Sequence, residues 1–328
     1  MAYTTIDNPE LYFQTKLYTG NGGTQSITLD GSENMQPDWV WVKQRGGTTN
    51  HKTSDSVRGA TKALQPNDTD AEATDSDGIT SFDSNGFSLG AGGDYNGSSN
   101  TQVAWCWKKQ AGIFDIVTYT GNGSNRTISH NLGAVPTMMV TKVRSTTNQW
   151  LVYHKSMGNT ETMKWDDTSA ATTQSNLWNS TTPTSSVFSV GTHTGSNLDG
   201  GTFVIYLFGD KQGVSKMGSY TGNGNADGTF IYTGFLPSFV MVKQTNASGE
   251  GWHILDNKRS GVNGDMERLL ANSSNAESNY AGNLDLLSNG FKTRINDAGV
   301  NGSGASYIFM AFAENPFVTS TGVPATAR

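Results

Sequence analysis

The sequence predicts an all-β protein built as three copies of one module. Three observations predict it: a pentapeptide repeated at constant spacing, short apolar runs bounded by turn residues, and a composition low in charge but rich in aromatics. Tyr-Thr-Gly-Asn-Gly begins at Tyr18, Tyr119 and Tyr220, a spacing of 101 residues both times. Self-similarity at a fixed period marks a repeat architecture. Charged residues make up 15% of the 328-residue chain, yet it holds 8 Trp, 11 Tyr and 14 Phe. A disordered chain lacks such rings. Abundant Thr, Ser, Asn and Gly suit a protein of many strands and turns.

Each element recurs in step. The Gly-Asn-Gly after each tyrosine supplies positive-φ positions. It is expected to close a hairpin, in the first module between Leu17-Tyr18-Thr19 and Ser26-Ile27-Thr28-Leu29. Next comes a proline and an apolar run ending in lysine: Pro37 to Lys43, Pro136 to Lys142, Pro237 to Lys243. Proline suits a strand entrance because it donates no ladder hydrogen bond. Trp39 and Trp41 alternate with Val40 and Val42, and Phe239 and Met241 with Val240 and Val242. A strand apolar on both faces is covered on both, so it lies centrally. The terminal lysine reads as a solvated strand end. Ser84 to Phe87, Ser185 to Phe188 and Ser288 to Phe291 form a further landmark. Val103 to Trp107, Phe203 to Phe208 and Tyr307 to Phe312 close the modules.

The unlike stretches between landmarks are where a binding surface is expected. Trp150, Trp165, Trp178, Trp252 and Tyr280 fall there and are the candidate aromatic platform for a glycan. Asp265 to Leu270 has helical spacing, with Met266, Leu269 and Leu270 on one face. The boundaries read as an N-terminal arm (1–16), modules at 17–112, 113–213 and 214–317, and a tail (318–328). Leu11, Tyr12 and Phe13 make an apolar cluster on the arm, the candidate attachment point to a larger particle. Short connectors imply closely packed modules. Three sandwich-like units, jelly-roll or lectin-like and mostly antiparallel, either stack in a row or close around a pseudo-threefold axis.

Several chemistries lack their signature. The net charge is −6 with no basic cluster, which argues against nucleic acid and an anionic membrane surface. The longest apolar runs are too short for a membrane-spanning helix. The N-terminus shows no leader pattern, so synthesis in a cytoplasm is expected. The single cysteine, Cys106, excludes an internal disulfide and reads as a small buried hydrophobe. His51, His130, His154, His193 and His253 have no metal-ligand spacing, and no pair of carboxylates is singled out for glycosidase chemistry. The acidic stretch Asp68 to Gly78 departs from an EF-hand loop, lacking its closing glutamate. No catalytic residue, metal or cofactor is expected.

The second module contains Ile128-Ser129-His130-Asn131-Leu132-Gly133-Ala134-Val135-Pro136 and Trp150-Leu151-Val152-Tyr153-His154-Lys155. The third contains Tyr232-Thr233-Gly234-Phe235-Leu236-Pro237 and Met310-Ala311-Phe312-Ala313-Glu314-Asn315-Pro316-Phe317. With these motifs the chain, from about Leu11 to Phe317, resembles a repeated β module of tailed-phage tail-fibre and virion structural proteins. The resemblance implies a virion component whose partners are other virion proteins and a host-surface glycan or protein. A receptor-binding knob is the first expectation, a capsid or collar decoration the alternative, and a polysaccharide depolymerase ranks last. The chain has no heptads and no collagen-like run, which favours a compact unit over a shaft. Its oligomeric state is left open.

Overall fold

A computed structural model describes residues 3–259, 263–280 and 283–326. The first module contains β1 (Phe13–Thr19), β2 (Gln25–Thr28), β3 (Trp39–Gln44), β4 (Lys52–Asp55), β5 (Gly59–Leu64), β6 (Ala73–Thr74), β7 (Ile79–Asp83), β8 (Gly86–Leu89), the one-turn α1 (Gly93–Asn96) and β9 (Thr101–Trp107). The second contains β10 (Phe114–Thr120), β11 (Arg126–Ser129), β12 (Met138–Val143), β13 (Leu151–His154), β14 (Glu161–Lys164), β15 (Thr172–Thr173), β16 (Val187–Val190), α2 (Thr194–Asn197) and β17 (Thr202–Phe208). The third contains β18 (Ser215–Thr221), β19 (Phe230–Tyr232), β20 (Phe235–Gln244), β21 (His253–Asp256), β22 (Glu267–Leu270), β23 (Ser278–Asn279), β24 (Leu284–Leu287), β25 (Gly290–Thr293) and β26 (Ser306–Pro316).

Each module is a two-layer antiparallel sandwich. Its large sheet has six strands, in the order β1-β9-β3-β4-β5-β6 and its equivalents. A small outer sheet, β2-β8-β7 in the first module, covers one face. The post-proline strand is central, as its double-sided apolarity predicts. Trp39 and Trp41 face a core shared by all three modules, while Val40 and Val42 face the first module's own core with Ile27, Phe87 and Cys106. The same division places Met138 and Val140, then Phe239 and Met241, in the shared core. One face of each large sheet thus looks inward at the other two, and the other carries its small sheet.

Three equivalent joints close the ring. The amide of Glu72 donates to the Arg144 carbonyl, that of Ala171 to Thr245, and that of Glu277 to Arg45, at 2.8, 2.8 and 2.7 Å. These link the first module to the second, the second to the third, and the third back to the first. A ring N–H repeats the pattern. Trp150 Nε1 donates to the Gln65 carbonyl at 2.9 Å, Trp252 Nε1 to Lys164 at 2.8 Å, and His51 Nε2 lies 3.1 Å from the Leu270 carbonyl. Of the two arrangements open from the sequence, the structure adopts the closed pseudo-threefold one.

Several expectations are corrected. The Gly-Asn-Gly segments do not close hairpins: β1 pairs with β9, and β2 pairs with β8 in the other layer. The segment is a crossover between layers, pinned by a buried asparagine. Asn96 Oδ1 accepts from the Asn21 amide at 2.9 Å, and its Nδ2 donates to Gly90 O at 2.9 Å and to Gly23 O. Asn197 and Asn301 repeat this on Asn122 and Asn223. The glycines still matter: Gly22 has φ 73°, and a Cβ on Gly20 would lie 2.3 Å from the Gly97 carbonyl. The stretch around Asp265 to Leu270 holds a strand, β22, not a helix. Pairing of Ile254 with Leu269 in the large sheet overrides its local helical spacing.

The lysines at the strand ends are fully buried rather than solvated. Each strand end abuts the loop of a neighbouring module or its own turn. Lys142 Nζ donates to Thr69 O at 2.7 Å, Lys243 Nζ to Gln244 O at 3.1 Å, and Lys43 Nζ to Gly47 O at 2.9 Å. Burial pulls all three ammonium groups down to about 8.

The N-terminal arm is not free either. Strand β1 starts at Phe13, whose ring is 1% exposed and stacks on Phe312 at 4.9 Å. Tyr12 packs against the same core, and Leu11 ends a short 3₁₀ turn. The apolar cluster Leu11, Tyr12 and Phe13 therefore belongs largely to the fold. The tail folds back on the arm, with the Ser320 amide donating to Asp7 at 2.6 Å.

Candidate functional site

The aromatic platform expected from the sequence does not form. Trp150, Trp165, Trp178 and Trp252 are at most 2% exposed. Trp150, Trp165 and Trp252 line the shared core, where Trp165 stacks on Trp252 at 5.5 Å. Trp178 fills the second module's own core against Tyr153. Tyr280 is half-buried under the Arg268 guanidinium, 4.1 Å from its ring centre, and its hydroxyl bonds Asp297. Indole is chosen at positions 150 and 252 because a large ring with one donor both fills the core and bonds the neighbouring carbonyl. His51 takes the equivalent place in the first module. It accepts from Trp41 Nε1 at 2.9 Å on Nδ1, which leaves Nε2 as the donor toward Leu270. Burial, then the nearby Lys43 charge, holds His51 down to about 3, so it is neutral.

The acidic stretch also serves a joint. Glu72 bridges Arg58 at 2.9 Å and Arg144 at 2.8 Å across the first and second modules. Cys106 is buried in the first module's core, and burial raises its thiol far above the ordinary range. Among the described residues, no group of three acidic, His or Cys side chains is placed to hold a metal ion. No helix among them is long and apolar enough to cross a membrane.

Comparison of equivalent positions locates a different site. The inward residues of the outer edge strands correspond as Ile27, Ile128 and Ile231, each opposite a buried Phe. The flanking outward residues are Ser26 and Thr28, Thr127 and Ser129, but Phe230 and Tyr232 in the third module. Phe230 is 44% and Tyr232 54% exposed. Two adjacent rings on one outer sheet face thus stay about half exposed where the other modules carry small polar residues, an apolar patch of the kind that interaction sites use.

Tyr232 lines a groove where the second module connects to the third. Tyr3, Asp210, Lys211, Gln212, Lys216 and the Thr233-Gly234 turn complete its wall, enclosing about 270 Å³. A cavity of about 190 Å³ adjoins it along Tyr3, Lys211 and Gln212. The Tyr3 hydroxyl donates to Gly234 O at 2.9 Å and lies 2.9 Å from the Tyr232 hydroxyl, fastening the arm over the connector. Burial, then this contact, pushes the Tyr3 hydroxyl up to about 12. Asp210 pairs with Lys155 at 2.5 Å and Lys216 at 3.4 Å. At the first connector the corresponding residues are Gln110 for Lys211 and Ser129 for Tyr232, so this combination is particular to the second.

The described residues form a closed all-β ring of three antiparallel sandwiches, with a groove lined by Tyr3, Tyr232, Lys211 and Lys216 at the second connector. The chain belongs to the family described as Domain of unknown function (DUF7483), whose profile matches residues 8–316. That match spans all three modules as one unit. No curated protein matches the chain.

Proposed function

We propose that the protein is a non-enzymatic phage virion component that recognises a host-surface glycan through the Tyr3–Tyr232 groove. The observation that carries the reading is the exposed Tyr232 in the wall of the groove, where the corresponding residues of the other modules are Thr28 and Ser129. An exposed ring offers an apolar face to the C–H face of a sugar, while Lys, Gln and Asp side chains exchange hydrogen bonds with its hydroxyls. The groove is smaller than the roughly 300–1,000 Å³ of drug-sized pockets, in keeping with a shallow site for one or two sugar rings. The resemblance of the repeats to tail-fibre modules supports the virion setting.

The test is binding of purified protein to host cells and to a glycan panel. Binding is expected, with Tyr232→Ser weakening it about tenfold, a loss of about 1.4 kcal/mol. Absence of binding to any host surface, with incorporation into particles intact, would replace this reading with a decoration role. Released reducing ends from host polysaccharide would point to a depolymerase.

A further inference from the structure

We infer that the ligand of the groove is an acidic glycan, one whose sugar carries a carboxylate; this rests on the glycan reading above. The inference comes from charge. The chain as a whole is acidic, at −6. The groove runs against that sign. Lys211 and Lys216 line it, and Lys155 stands at its edge through its pair with Asp210. Asp210 is the one acid among the lining residues, and it is shared between Lys155 and Lys216. Lys211 has no acidic partner within ion-pair distance among the described residues. One carboxylate against three ammonium groups leaves a local positive excess on a negative protein.

The first connector shows that this excess is not a requirement of the fold. There Lys109 pairs with Asp115 at 3.3 Å, the same contact as Asp210 with Lys216 but with the charges exchanged. That pair is balanced, and the position of Lys211 is the neutral Gln110, while Lys108 stands where the second connector has Gly209. Beside Tyr232, the second connector places Lys211 in the groove wall with no acidic partner among the described residues. An uncharged sugar would gain only a hydrogen bond to a hydroxyl from it. A sugar carboxylate would gain more, because a charge-assisted hydrogen bond to ammonium is stronger than a neutral one. With its ring face on Tyr232, such a sugar could bring its carboxylate to Lys211 or Lys216. A positive spot on a negative surface also orients an anionic chain toward the groove as it approaches.

The experiment compares an oligogalacturonate with its carboxyl-reduced, neutral counterpart on the intact protein, by calorimetry at low and high salt. The oligogalacturonate is expected to bind at least tenfold tighter than the reduced form, and the difference is expected to shrink at high salt. Lys211→Gln should remove most of that preference, weakening the oligogalacturonate at least fivefold more than the reduced form, while leaving the melting temperature unchanged. Equal binding of the two sugars, both lost in Tyr232→Ser, would overturn the acidic specificity and leave the glycan reading standing. Binding of neither, or an unaltered preference in Lys211→Gln, would also overturn it.

Discussion

The Tyr206 hydroxyl donates to the Asp55 carboxylate at 2.8 Å across the joint between the second module and the first. Its counterpart at the joint of the first and third modules is Trp105 Nε1 on Asp256, at 3.1 Å. In both places the carboxylate also holds a buried arginine, Arg58 at 2.5 Å and Arg259 at 2.6 Å. Glu277 then joins Arg45 at 2.7 Å as Glu72 joins Arg144. At the remaining joint every one of these positions changes together. The aspartate is His154, the arginine Met157, the glutamate Ala171, the outer arginine Thr245, and the ring donor Met310. A buried charge left alone is costly, so such a network is kept whole or removed whole.

That logic predicts an asymmetry. Asp256→Ala leaves Arg259 buried without its main partner and should cost about 3–5 kcal/mol of stability. Met157→Leu at the apolar joint conserves volume and should cost less than about 1.5 kcal/mol. Denaturant midpoints of the two variants check this, and equal losses would contradict it.

The ring donors give a second prediction. Trp252→Phe keeps most of the core contact but loses the hydrogen bond to Lys164 and orphans that carbonyl. The cost is expected at about 1–3 kcal/mol. Trp252→Ala should cost more, about 3–5 kcal/mol, by opening a cavity. The same denaturation measurement separates the two; equal costs would show that the hydrogen bond, not packing, dominates.

The pH dependence follows from the histidines. Burial holds His154 down to about 4 and His51 to about 3, against about 6.5 in an unfolded chain. Between those values the unfolded chain binds more protons than the folded one, so stability falls as pH falls. Each histidine contributes at most about 1.4 kcal/mol per pH unit below about 6.5. His154→Leu is expected to flatten the decline between pH 6 and pH 4.5, read from melting temperatures. An unchanged slope would mean that His154 titrates normally in the fold.

The buried asparagines predict a local lesion with global effect. Asn197→Ala removes the acceptor for the Asn122 amide and the donor to Gly191 O and Ser124 O. Unpaired buried polar groups cost about 1–3 kcal/mol each. A loss of about 3 kcal/mol is expected, with early amide exchange in the 121–124 crossover.

Much of the fold was legible because the repeat is a property of sequence alone. The landmark strands, the central place of the post-proline run and the buried Cys106 all follow from periodicity and alternation. What escaped depends on contacts between modules. Trp150 and Trp252 looked like parts of variable loops, yet each lies four residues before His154 or Asp256, a spacing shared by His51 and Asp55. Aligning the three copies at that register would have marked them as framework. The strand-end lysines look solvated because no pattern within one module announces that a neighbour's loop covers Lys142 or that the turn after β3 folds back on Lys43. The groove joins Tyr3 to Tyr232 across most of the chain, beyond any local signal. The exchange of Ser and Thr for Phe230 and Tyr232, by contrast, was readable from the aligned repeats.

The central claim is that three joints and one shared core make the modules a single folding unit. Equilibrium denaturation of the intact chain, followed by tryptophan fluorescence and by far-ultraviolet circular dichroism, tests it most directly. The shared core holds tryptophans of all three modules' joints, so one cooperative transition with coincident midpoints is expected. Separate transitions, or a fragment of residues 1–109 that folds alone as a stable monomer, would contradict it.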